Sequence, residues 1–369
     1  MKLALVIANF LNGGAERVLL NLANHFLARH DSVSLVALGA ISPRFYRLPA
    51  TLAKYELHAT GQSRSFVGAI GNNVQRLRLL RQTICRIDPD VVISFMDHTN
   101  ILTILALTGT RYPVVVTEHF DPYTRSCGRI WSLLRRYTYP RAARLICVSL
   151  GASEYFHWLR RSKLQVIYNP IAQPDPTQPV RELPPGADAQ KHWAMAMGRL
   201  TPQKGFDLLL TAFARLAQQH QDWQLIILGD GELRGELEAL RDRLGLQRQA
   251  LLVGHVSEPF ALLARAELFV MSSRFEAFPN ALIEAMACGV PAVSFNCRSG
   301  PDEIIRHDVD GLLVPPGDIE ALAAAMERLM ASPTERTRLA AQAIASGDRF
   351  ALPKIMGIWE ELLTKLTEQ

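Results

Sequence analysis

Short apolar runs of three to eight residues recur along the chain, and helical patterns separate them. Within each run the apolar residues are mostly consecutive, which is typical of strands that other elements cover on both faces. Because parallel strands need a crossover connection, this alternation predicts doubly wound α/β domains. The predicted strands are residues 3–10, 33–38, 91–95, 114–117, 145–148 and 166–168 in the first half, and 193–197, 224–228, 251–253, 268–271, 292–295 and 312–314 in the second.

The length of 369 residues favours two domains. Six prolines between positions 170 and 185 predict a stiff linker over 171–190. We therefore expect an N-terminal domain over 1–170 and a C-terminal domain over 191–349. An amphipathic pattern over residues 353–367 predicts a last helix, and we assign residues 350–369 to the N-terminal domain, on which this helix can pack.

The charge is divided unevenly along the chain. Residues 1–170 hold 21 Lys and Arg against nine Asp and Glu, a net charge of +12, whereas residues 171–369 hold 19 against 26, a net charge of −7. The basic half is expected to meet an anionic partner. No nucleic-acid-binding motif is present. No apolar run reaches the roughly 18 residues of a spanning helix, and the five cysteines, odd in number and without metal-ligand spacing, predict reduced thiols of a cytoplasmic protein.

A strand, a loop and a short helix follow one another over residues 268–289. Pro279 favours a first helical turn, Asn280 is a suitable cap, and Gly289 ends the pattern. The helix would begin at the carboxyl end of a strand, where its free amides attract phosphate. Glu276 and Glu284 flank this point, and we interpret them as acceptors for sugar hydroxyls. A solvated loop glutamate and an ordinary helix glutamate are the alternative interpretation.

A second strand-to-helix junction carries two cations. Arg199 and Lys204 lie five positions apart in the segment 198–207 and can converge on one diphosphate, although an ordinary solvated loop can carry the same residues. Two further strands end in glycine-containing segments, Gly229-Asp230-Gly231 and Gly254-His255-Val256, whose glycines permit close backbone approach.

The first half offers weaker candidates at its strand ends. Gly13 and Gly14 connect the first strand to the first helix, where they predict either a ligand-approaching loop or a simple tight turn. His119 follows the strand at 114–117. Three acidic or histidine side chains lie in comparable places: Glu118, Asp97 and His98. Of these, Asp97 or His98 is a candidate for activating an acceptor.

Two arginine-rich amphipathic segments occupy residues 73–87 and 130–144 of the first half. They are either the solvated faces of core helices or an in-plane contact with an anionic membrane, in which arginines meet lipid phosphates and aromatic residues sit at the interface.

These motifs resemble those of the retaining glycosyltransferases of family 4. The similarity covers nearly the whole chain and includes Arg-Phe-Glu-x-Phe-Pro-x-x-x-x-Glu, Gly-Arg-Leu with Lys-Gly-Phe-Asp, Thr-Glu-His and Gly-Gly-Ala-Glu-Arg. It implies the GT-B fold, two facing Rossmann-like domains with an interdomain cleft. It also implies catalytic or positioning roles for His119, Glu276, Arg199 and Lys204, and donor contacts at Gly13, Gly14, Gly229, Val256, Ala277, Phe278, Asn280, Ala281, Leu282 and Glu284. Ala277 departs from the glycine that the family often has.

The resemblance further implies the activity. We expect a metal-independent transferase without a cofactor, which moves a sugar from a nucleotide-diphosphate sugar to a lipid-linked oligosaccharide or glycolipid. The expected donor is a UDP-hexose or UDP-N-acetylhexosamine, and the expected location is peripheral, on the inner face of the cytoplasmic membrane. The alternatives are a GDP-mannose-dependent mannosyltransferase, a nucleotide-sugar epimerase, and a non-enzymatic nucleotide-sugar-binding subunit. Sugar identity, linkage and oligomeric state stay open.

Overall fold

The structure is a computed structural model that describes residues 1–11, 13–42, 47–59, 66–171, 183–256 and 258–368, with the backbone alone described over 66–70. The chain divides into two compact units. The first comprises Met1–Pro170 together with Leu352–Gln369, and the second comprises Ile171–Ala351.

The described part of the first unit contains one parallel sheet. Its strands are β1 (Lys2–Ile7), β2 (Ser32–Ala37), β3 (Ala53–Glu56), β4 (Val91–Phe95), β5 (Val114–Glu118), β6 (Arg144–Cys147) and β7 (Leu164–Val166). They pair in the order β3-β2-β1-β4-β5-β6-β7. The helices of this unit are α1 (Gly14–Ala28), α2 (Phe66–Ile87), α3 (Asp97–Leu107), α4 (Arg129–Thr138), α5 (Leu150–Ser153) and α13 (Leu352–Thr367).

Both faces of this sheet are buried, as the apolar runs predict. In β1, Leu3, Leu5 and Ile7 belong to the core that α1 and α13 cover, whereas Ala4 and Val6 belong to the core against α2 and α3. Alternate residues of one strand therefore serve two cores, which explains why consecutive apolar residues are needed.

The second unit repeats this plan. Its strands are β8 (His192–Met197), β9 (Trp223–Leu228), β10 (Ala250–Gly254), β11 (Leu268–Met271), β12 (Ala292–Phe295) and β13 (Leu312–Val314), all parallel in the order β10-β9-β8-β11-β12-β13. Its helices are α6 (Phe206–Ala214), α7 (Arg234–Arg243), α8 (Phe260–Arg265), α9 (Asn280–Ala287), α10 (Pro301–Ile304), α11 (Ile319–Ala331) and α12 (Pro333–Gly347). The prediction of two Rossmann-like domains is confirmed.

Differences from the predicted elements have local causes. The strand β3 was not predicted, because it is a short edge strand whose residues are mostly exposed. The last strand of the first unit lies at Leu164–Val166 instead of 166–168. Of the predicted linker, residues 172–182 lie outside the described residues. Asp188 hydrogen-bonds Gln224 and Trp193, so this part of the segment packs on the second sheet.

The last helix, α13, completes the core of the first unit. Met356, Trp359 and Leu363 are buried in the core that contains β1 and α1. Glu360 anchors the helix further, because it accepts a hydrogen bond from His25 (2.5 Å) and pairs with Arg29 (2.6 Å). None of the helices in the described ranges combines the length and the hydropathy that crossing a bilayer requires.

Candidate functional site

Two loops at the carboxyl edge of the second sheet carry the charged residues predicted to bind phosphate and sugar. β8 and β11 are neighbours in this sheet. Since the strands are parallel, the loops after them, residues 198–205 and 272–279, start at the same edge. The fold thereby brings Lys204 to Glu276, although 72 positions separate them in the sequence.

Hydrogen bonds to backbone carbonyls connect these two loops to each other. The amide of Arg274 donates to the carbonyl of Gln203 (2.8 Å), and the side-chain amide of Gln203 donates to the carbonyl of Phe275 (3.1 Å). The hydroxyl of Ser272 donates to the carbonyl of Lys204 (2.9 Å). Such mutual satisfaction of polar groups holds the charged side chains in fixed positions.

Gly205 is the residue that allows this close approach. Its φ is +61°, and a Cβ at this position would lie 2.1 Å from the carbonyl oxygen of Ser272. A side chain here would therefore be both strained and in collision with the backbone. Beside it, the guanidinium of Arg274 pairs with both carboxylate oxygens of Asp207, at 2.6 and 2.9 Å, and adds a second tie between the loops.

Glu276 is buried, with 5% of its surface exposed, and three donors meet its carboxylate. Lys204 Nζ lies 2.5 Å and Ser273 Oγ 2.6 Å from Oε1, while Gln203 Nε2 lies 3.3 Å from Oε2. A buried carboxylate is costly unless it is paired and hydrogen-bonded, and this one is. The proposed sugar ligand and one of the two proposed phosphate ligands are thus partners in this structure.

Arg199, the other predicted phosphate ligand, is not part of this pair. Its side chain is exposed and makes no ion pair with any described residue. Lys204 instead lays its aliphatic stem over Gly198, where a Cβ would lie 2.9 Å from the lysine Cε. The two cations therefore differ: Lys204 is held in place and Arg199 is available at the surface.

The helix α9 begins as predicted next to this pair, but its cap differs. Pro279 is the N-cap, with φ −82° and ψ 83°, and no side chain caps the helix, so the prediction that Asn280 is the cap was wrong. The amide of Asn280 donates to Phe278 O (3.1 Å) and that of Leu282 to Pro279 O (3.0 Å). The amide of Ala281 makes no hydrogen bond with any described residue. Of the three predicted phosphate-binding amides, it alone is available without rearrangement.

The other residues near α9 that were predicted to contact the donor differ in their burial. Glu284 is 2% exposed in the second turn of the helix, and Ala277 is half-buried in the loop before it. The ring of Phe278 packs on that of Phe350, with centroids 5.6 Å apart, so this side chain is engaged in the core.

Ser299 is a residue that sequence reasoning did not select. Its hydroxyl is buried and has no partner among the described residues. The next residue, Gly300, has φ +99° and touches Pro279, since a Cβ there would lie 2.4 Å from the proline Cδ. This places an unused donor next to the start of α9. The only sequence signal was the Ser-Gly-Pro string itself.

The glycines after β9 and β10 serve the packing of loops. A Cβ at Gly229 would lie 1.9 Å from the carbonyl oxygen of Gly198, and the amide of Gly229 donates to Gly254 O at 2.7 Å. The close backbone approach predicted at Gly229 is therefore to another loop. Val256, two residues beyond Gly254, is half-buried at the same edge.

In the first unit, His119 lies directly after β5 and stacks on Phe95, with ring centroids 5.5 Å apart. The hydroxyl of Thr117 donates to the carbonyl of Ser94, so it must accept from His119 Nε2, 3.1 Å away. Nδ1 is then a buried acceptor with no partner among the described residues. Burial lowers the pKa of His119 to about 4, which keeps the ring neutral and leaves Nδ1 ready to accept from a hydroxyl.

Glu118, one residue earlier, points into a buried polar network. Tyr139 donates to its carboxylate, and Asn100 donates both to Tyr139 (3.2 Å) and to the carbonyl of Thr117 (2.9 Å). Burial raises the pKa of Glu118 to about 7, against the opposing charge of Arg135 and the tyrosine hydrogen bond. Glu118 therefore supports the end of β5 from inside this network.

Asp97 and His98 follow β4, the neighbour of β5 in the sheet. The Asp97 carboxylate accepts from the backbone amide (2.7 Å) and from Nδ1 (2.8 Å) of His98. Burial opposes ionisation of Asp97, but the hydrogen bonds and charge of His98 outweigh it and lower the pKa of the carboxyl. Met96 just before has φ +78°, which is rare for a side-chain-bearing residue and is typical of functional sites.

The glycine loop before α1 is already occupied by a side chain. Gly13 is the N-cap of the helix and Gly14 its first residue. The Glu16 carboxylate folds back so closely that a Cβ on Gly13 would lie 2.3 Å from its oxygen. A carboxylate at a helix N-terminus occupies the place where an anionic ligand would bind. Glu16 would have to move before this loop could meet a phosphate.

The partners of the charged residues were mostly invisible to sequence reasoning. Gln203 and Ser273 lie within the recognised motifs but carry no signal that they would ligate Glu276. Asn100 and Tyr139 are 39 positions apart, and only the fold joins them.

Comparison with known proteins agrees with this geometry. Residues 12–172 match the profile described as Glycosyltransferase Family 4, and residues 184–346 match that described as Glycosyl transferases group 1. The chain is 30% identical over 370 residues to a GalNAc-α-(1→4)-GalNAc-α-(1→3)-diNAcBac-PP-undecaprenol α-1,4-N-acetyl-D-galactosaminyltransferase of Campylobacter jejuni, with 99% of each chain covered. The chain belongs to glycosyltransferase family 4. It is a glycosyltransferase by this membership.

Two further similarities concern a second relative and the fold. A second Campylobacter jejuni protein, an N-acetylgalactosamine-N,N′-diacetylbacillosaminyl-diphospho-undecaprenol 4-α-N-acetylgalactosaminyltransferase, is 28% identical over 85% of this chain and 86% of its own. The crystal structure of Anabaena HepE in complex with UDP superposes with a TM-score of 0.80 at 20% identity, covering 99% of this chain and 100% of that one. The fold is that of GT-B glycosyltransferases.

Proposed function

We propose that this family 4 member transfers a sugar from a UDP-sugar to a lipid-linked oligosaccharide, with retention of the anomeric configuration. The observation that carries the proposal is the ion pair of half-buried Lys204 and buried Glu276 beside the start of α9. The ammonium group of Lys204 can bind phosphate, and the carboxylate of Glu276 can accept hydrogen bonds from sugar hydroxyls. Because the two groups lie 2.5 Å apart, they suit a ligand in which phosphate adjoins a sugar.

The comparisons support the choice of donor and acceptor. Anabaena HepE has been crystallised with UDP. The two Campylobacter relatives carry names that specify diphospho-undecaprenol acceptors and N-acetylgalactosaminyl transfer. A UDP-N-acetylhexosamine or a UDP-hexose is therefore the proposed donor.

Each group at the edge of the second sheet receives a role. Lys204 leaves Glu276 for the leaving diphosphate when the donor binds, and Arg199 adds a second cation. The Ala281 amide takes a phosphate oxygen at the helix N-terminus. Glu276 then accepts from sugar hydroxyls, and Glu284 from those of the ribose. Val256 contributes backbone to the donor site, and Gly13 and Gly14 do so once Glu16 has moved aside. Gly229 acts indirectly, by packing the loop after β9 on Gly198.

Catalysis is proposed to rest on stabilising the negative charge that develops on the diphosphate. The bond between the anomeric carbon and the phosphate oxygen breaks as the acceptor oxygen bonds to the same carbon from the same face. The acceptor proton passes to the departing phosphate. Chain cations and helix amides supply the positive charge, so we propose that no metal or other cofactor takes part. His119 accepts from a hydroxyl of the transferred sugar through Nδ1, and Asp97 with His98 orients the acceptor.

The proposed place of action is the inner face of the cytoplasmic membrane. The +12 charge of residues 1–170 suits an anionic bilayer surface. A lipid-linked acceptor would be reached there by a peripheral protein.

The test is a panel of nucleotide sugars with diphospho-polyprenol-linked acceptors. Release of nucleoside diphosphate and the appearance of an elongated lipid are followed together, and NMR of the product gives the anomeric configuration. Lys204→Met and Glu276→Gln should each lower turnover at least about a hundredfold, since loss of one charge-stabilising donor costs about that much. Arg215→Gln, which removes an exposed cation of the same unit, should not.

Other outcomes would identify the alternatives. Product from GDP-mannose alone would indicate a mannosyltransferase, and an isomerised donor without transfer would indicate an epimerase. Tight donor binding without any turnover would indicate a binding subunit. Equal turnover by both site variants and the parent would refute the site assignment.

A further inference from the structure

A cavity of about 380 Å³ lies against α4 in the first unit, and none of the residues proposed above to bind the donor lines it. Its lining includes Arg129, Ser132, Arg136 and Trp158. No lining residue is acidic. The volume lies at the small end of the range for ligand sites, which suits a headgroup.

Three arginines line this cavity, and two of them lack carboxylate partners. The third, Arg135, is buried, donates to Tyr155 (2.8 Å) and feels the charge of Glu118. Arg129 and Arg136 are exposed, and neither forms an ion pair with a described residue. Arg136 lies over the Trp158 ring, 5.5 Å from its centroid, which preorganises the guanidinium. Residues 119–170 contain nine Lys and Arg against two Asp and Glu. This cavity is therefore suited to an anion, and planar guanidinium groups favour phosphate.

The same helix exposes an apolar stripe next to the cationic row. Ile130, Leu133 and Tyr137 are 66%, 71% and 60% exposed, and their spacing places them on one helix face. Arg129 and Arg136 lie on the adjoining face. Trp131 and Leu134, on the other flank of the apolar stripe, pack on the core. Exposed apolar side chains bordered by arginines are typical of a helix that lies in the membrane interface.

We propose that the α4 cavity binds the phosphate group of a membrane lipid while Ile130, Leu133 and Tyr137 enter the boundary between headgroups and acyl chains. The charge of the cavity selects an anion, and the stripe beside it selects one that is attached to a bilayer. An acidic protein would match the arginines but would not require the adjoining apolar stripe.

The contacts of two residues distinguish α4 from the second basic helix, α2. In α2, Arg81 donates to the carbonyls of Ala106 (2.8 Å) and Thr108 (3.0 Å), so it is engaged within the unit. On α4, Trp131 contacts the ring of His98, with centroids 4.4 Å apart. The helix therefore flanks the strand edge where the acceptor is proposed to bind. Only this last connection rests on the proposed function.

The first experiment is vesicle flotation with three compositions. They are phosphatidylcholine alone, phosphatidylcholine with phosphatidylglycerol, and phosphatidylcholine with a small fraction of diphospho-polyprenol. Arg136→Gln and Leu133→Ser should each weaken binding to the vesicles that contain phosphatidylglycerol or diphospho-polyprenol roughly tenfold or more. The first variant loses a charge-assisted hydrogen bond, and the second loses the burial of a leucine side chain in the membrane. The controls remove the same groups elsewhere, Arg161→Gln in the same basic stretch and Ile344→Ser in the second unit; both side chains are exposed.

The second experiment detects the cavity directly. A short-chain phosphatidic acid, titrated below its micellar concentration, should change tryptophan fluorescence in the parent, and Trp158→Phe should abolish the change. Equal losses for Arg136→Gln and Arg161→Gln would overturn the proposal, since they indicate diffuse attraction. Binding of an acidic peptide without binding to vesicles would overturn it as well.

The vesicle compositions also identify the lipid. Binding that needs diphospho-polyprenol assigns the acceptor's own diphosphate to the cavity, and equal binding with phosphatidylglycerol assigns a bulk headgroup; both outcomes support the proposal. Sugar transfer to a water-soluble acceptor, measured as release of nucleoside diphosphate, should be the same in Arg136→Gln and the parent. Failure of that release in the parent, with lipid binding intact, would refute the transferase function and leave the lipid site in place.

Discussion

Replacing Lys204 by Met removes the half-buried cation that pairs with the buried carboxylate of Glu276, but keeps an unbranched apolar stem against Gly198. Glu276, 5% exposed, would retain only the hydrogen bonds from Ser273 (2.6 Å) and Gln203 (3.3 Å). Breaking one side of a buried pair costs about 3–5 kcal/mol. The two remaining donors place Lys204→Met near the lower end, so we expect a loss of about 3 kcal/mol of unfolding free energy in the second unit.

At roughly 2–4 °C per kcal/mol for a unit of 150–250 residues, this loss lowers the melting temperature by about 6–12 °C. Thermal unfolding is followed by circular dichroism and by tryptophan fluorescence, to which the buried Trp193 and Trp223 contribute from the second unit. Glu276→Gln alone should lower the unfolding free energy less than Lys204→Met does, because the side chain of Lys204 is 20% exposed and can turn to solvent.

The double variant, Lys204→Met with Glu276→Gln, tests whether the ion pair stabilises the two loops. Without the carboxylate there is no uncompensated charge, so the double variant should be at least about 1.5 kcal/mol more stable than the sum of the single losses predicts. It should nevertheless be inactive. Strict additivity of the two losses would show that the pair does not stabilise the loops, and the reasoning would be refuted.

The pH dependence of stability tests two buried groups, Glu118 and His119, whose pKa values are shifted in opposite directions. Burial raises the pKa of Glu118 from 4.5 to about 7, so the folded chain binds more protons between these values and the contribution of Glu118 to stability falls as pH rises. Burial lowers the pKa of His119 from 6.5 to about 4, so the unfolded chain binds more protons between these values and the contribution of His119 falls as pH falls. Because the two contributions oppose each other, each variant is compared with the parent in urea titrations at pH 5 and 7.5: relative to the parent, Glu118→Gln should gain stability as pH rises and His119→Gln should gain stability as pH falls. A difference from the parent that does not change with pH would contradict the burial of the group concerned. Gly205→Ala should cost at least about 2 kcal/mol, because of its φ of +61° and the Ser272 oxygen at 2.1 Å, whereas Gly235→Ala, with open space around it, should not destabilise the second unit. Nucleoside diphosphate release should be unchanged by a chelator, and its loss would show that a metal takes part.

The sequence predicts the sheets better than the sites. The runs at 268–271, 292–295 and 312–314 coincide with β11, β12 and β13, because a strand buried on both faces leaves an unambiguous apolar pattern. β3 leaves none, since an edge strand with exposed side chains looks like a loop.

For the site, residue types were predictable and their partners were not. Motif spacing indicated Lys204 and Glu276 separately, but their pairing follows from β8 and β11 being neighbours. The available amide at Ala281 depends on backbone angles at Pro279, for which the sequence suggested a different cap. The tautomer of His119 depends on where Thr117 sends its proton, a tertiary detail that no local pattern records.

The position of α13 has a consequence for biosynthesis. Because Met356, Trp359 and Leu363 belong to the core around β1, the amino-terminal unit stays incomplete while the ribosome makes all of the second unit. The second unit can finish folding first, whereas the first unit keeps part of its apolar surface uncovered until α13 has been synthesised. During that interval a membrane or a chaperone can occupy the surface. A nascent chain arrested before residue 352 should accordingly show a protease-resistant second unit and a protease-sensitive first one.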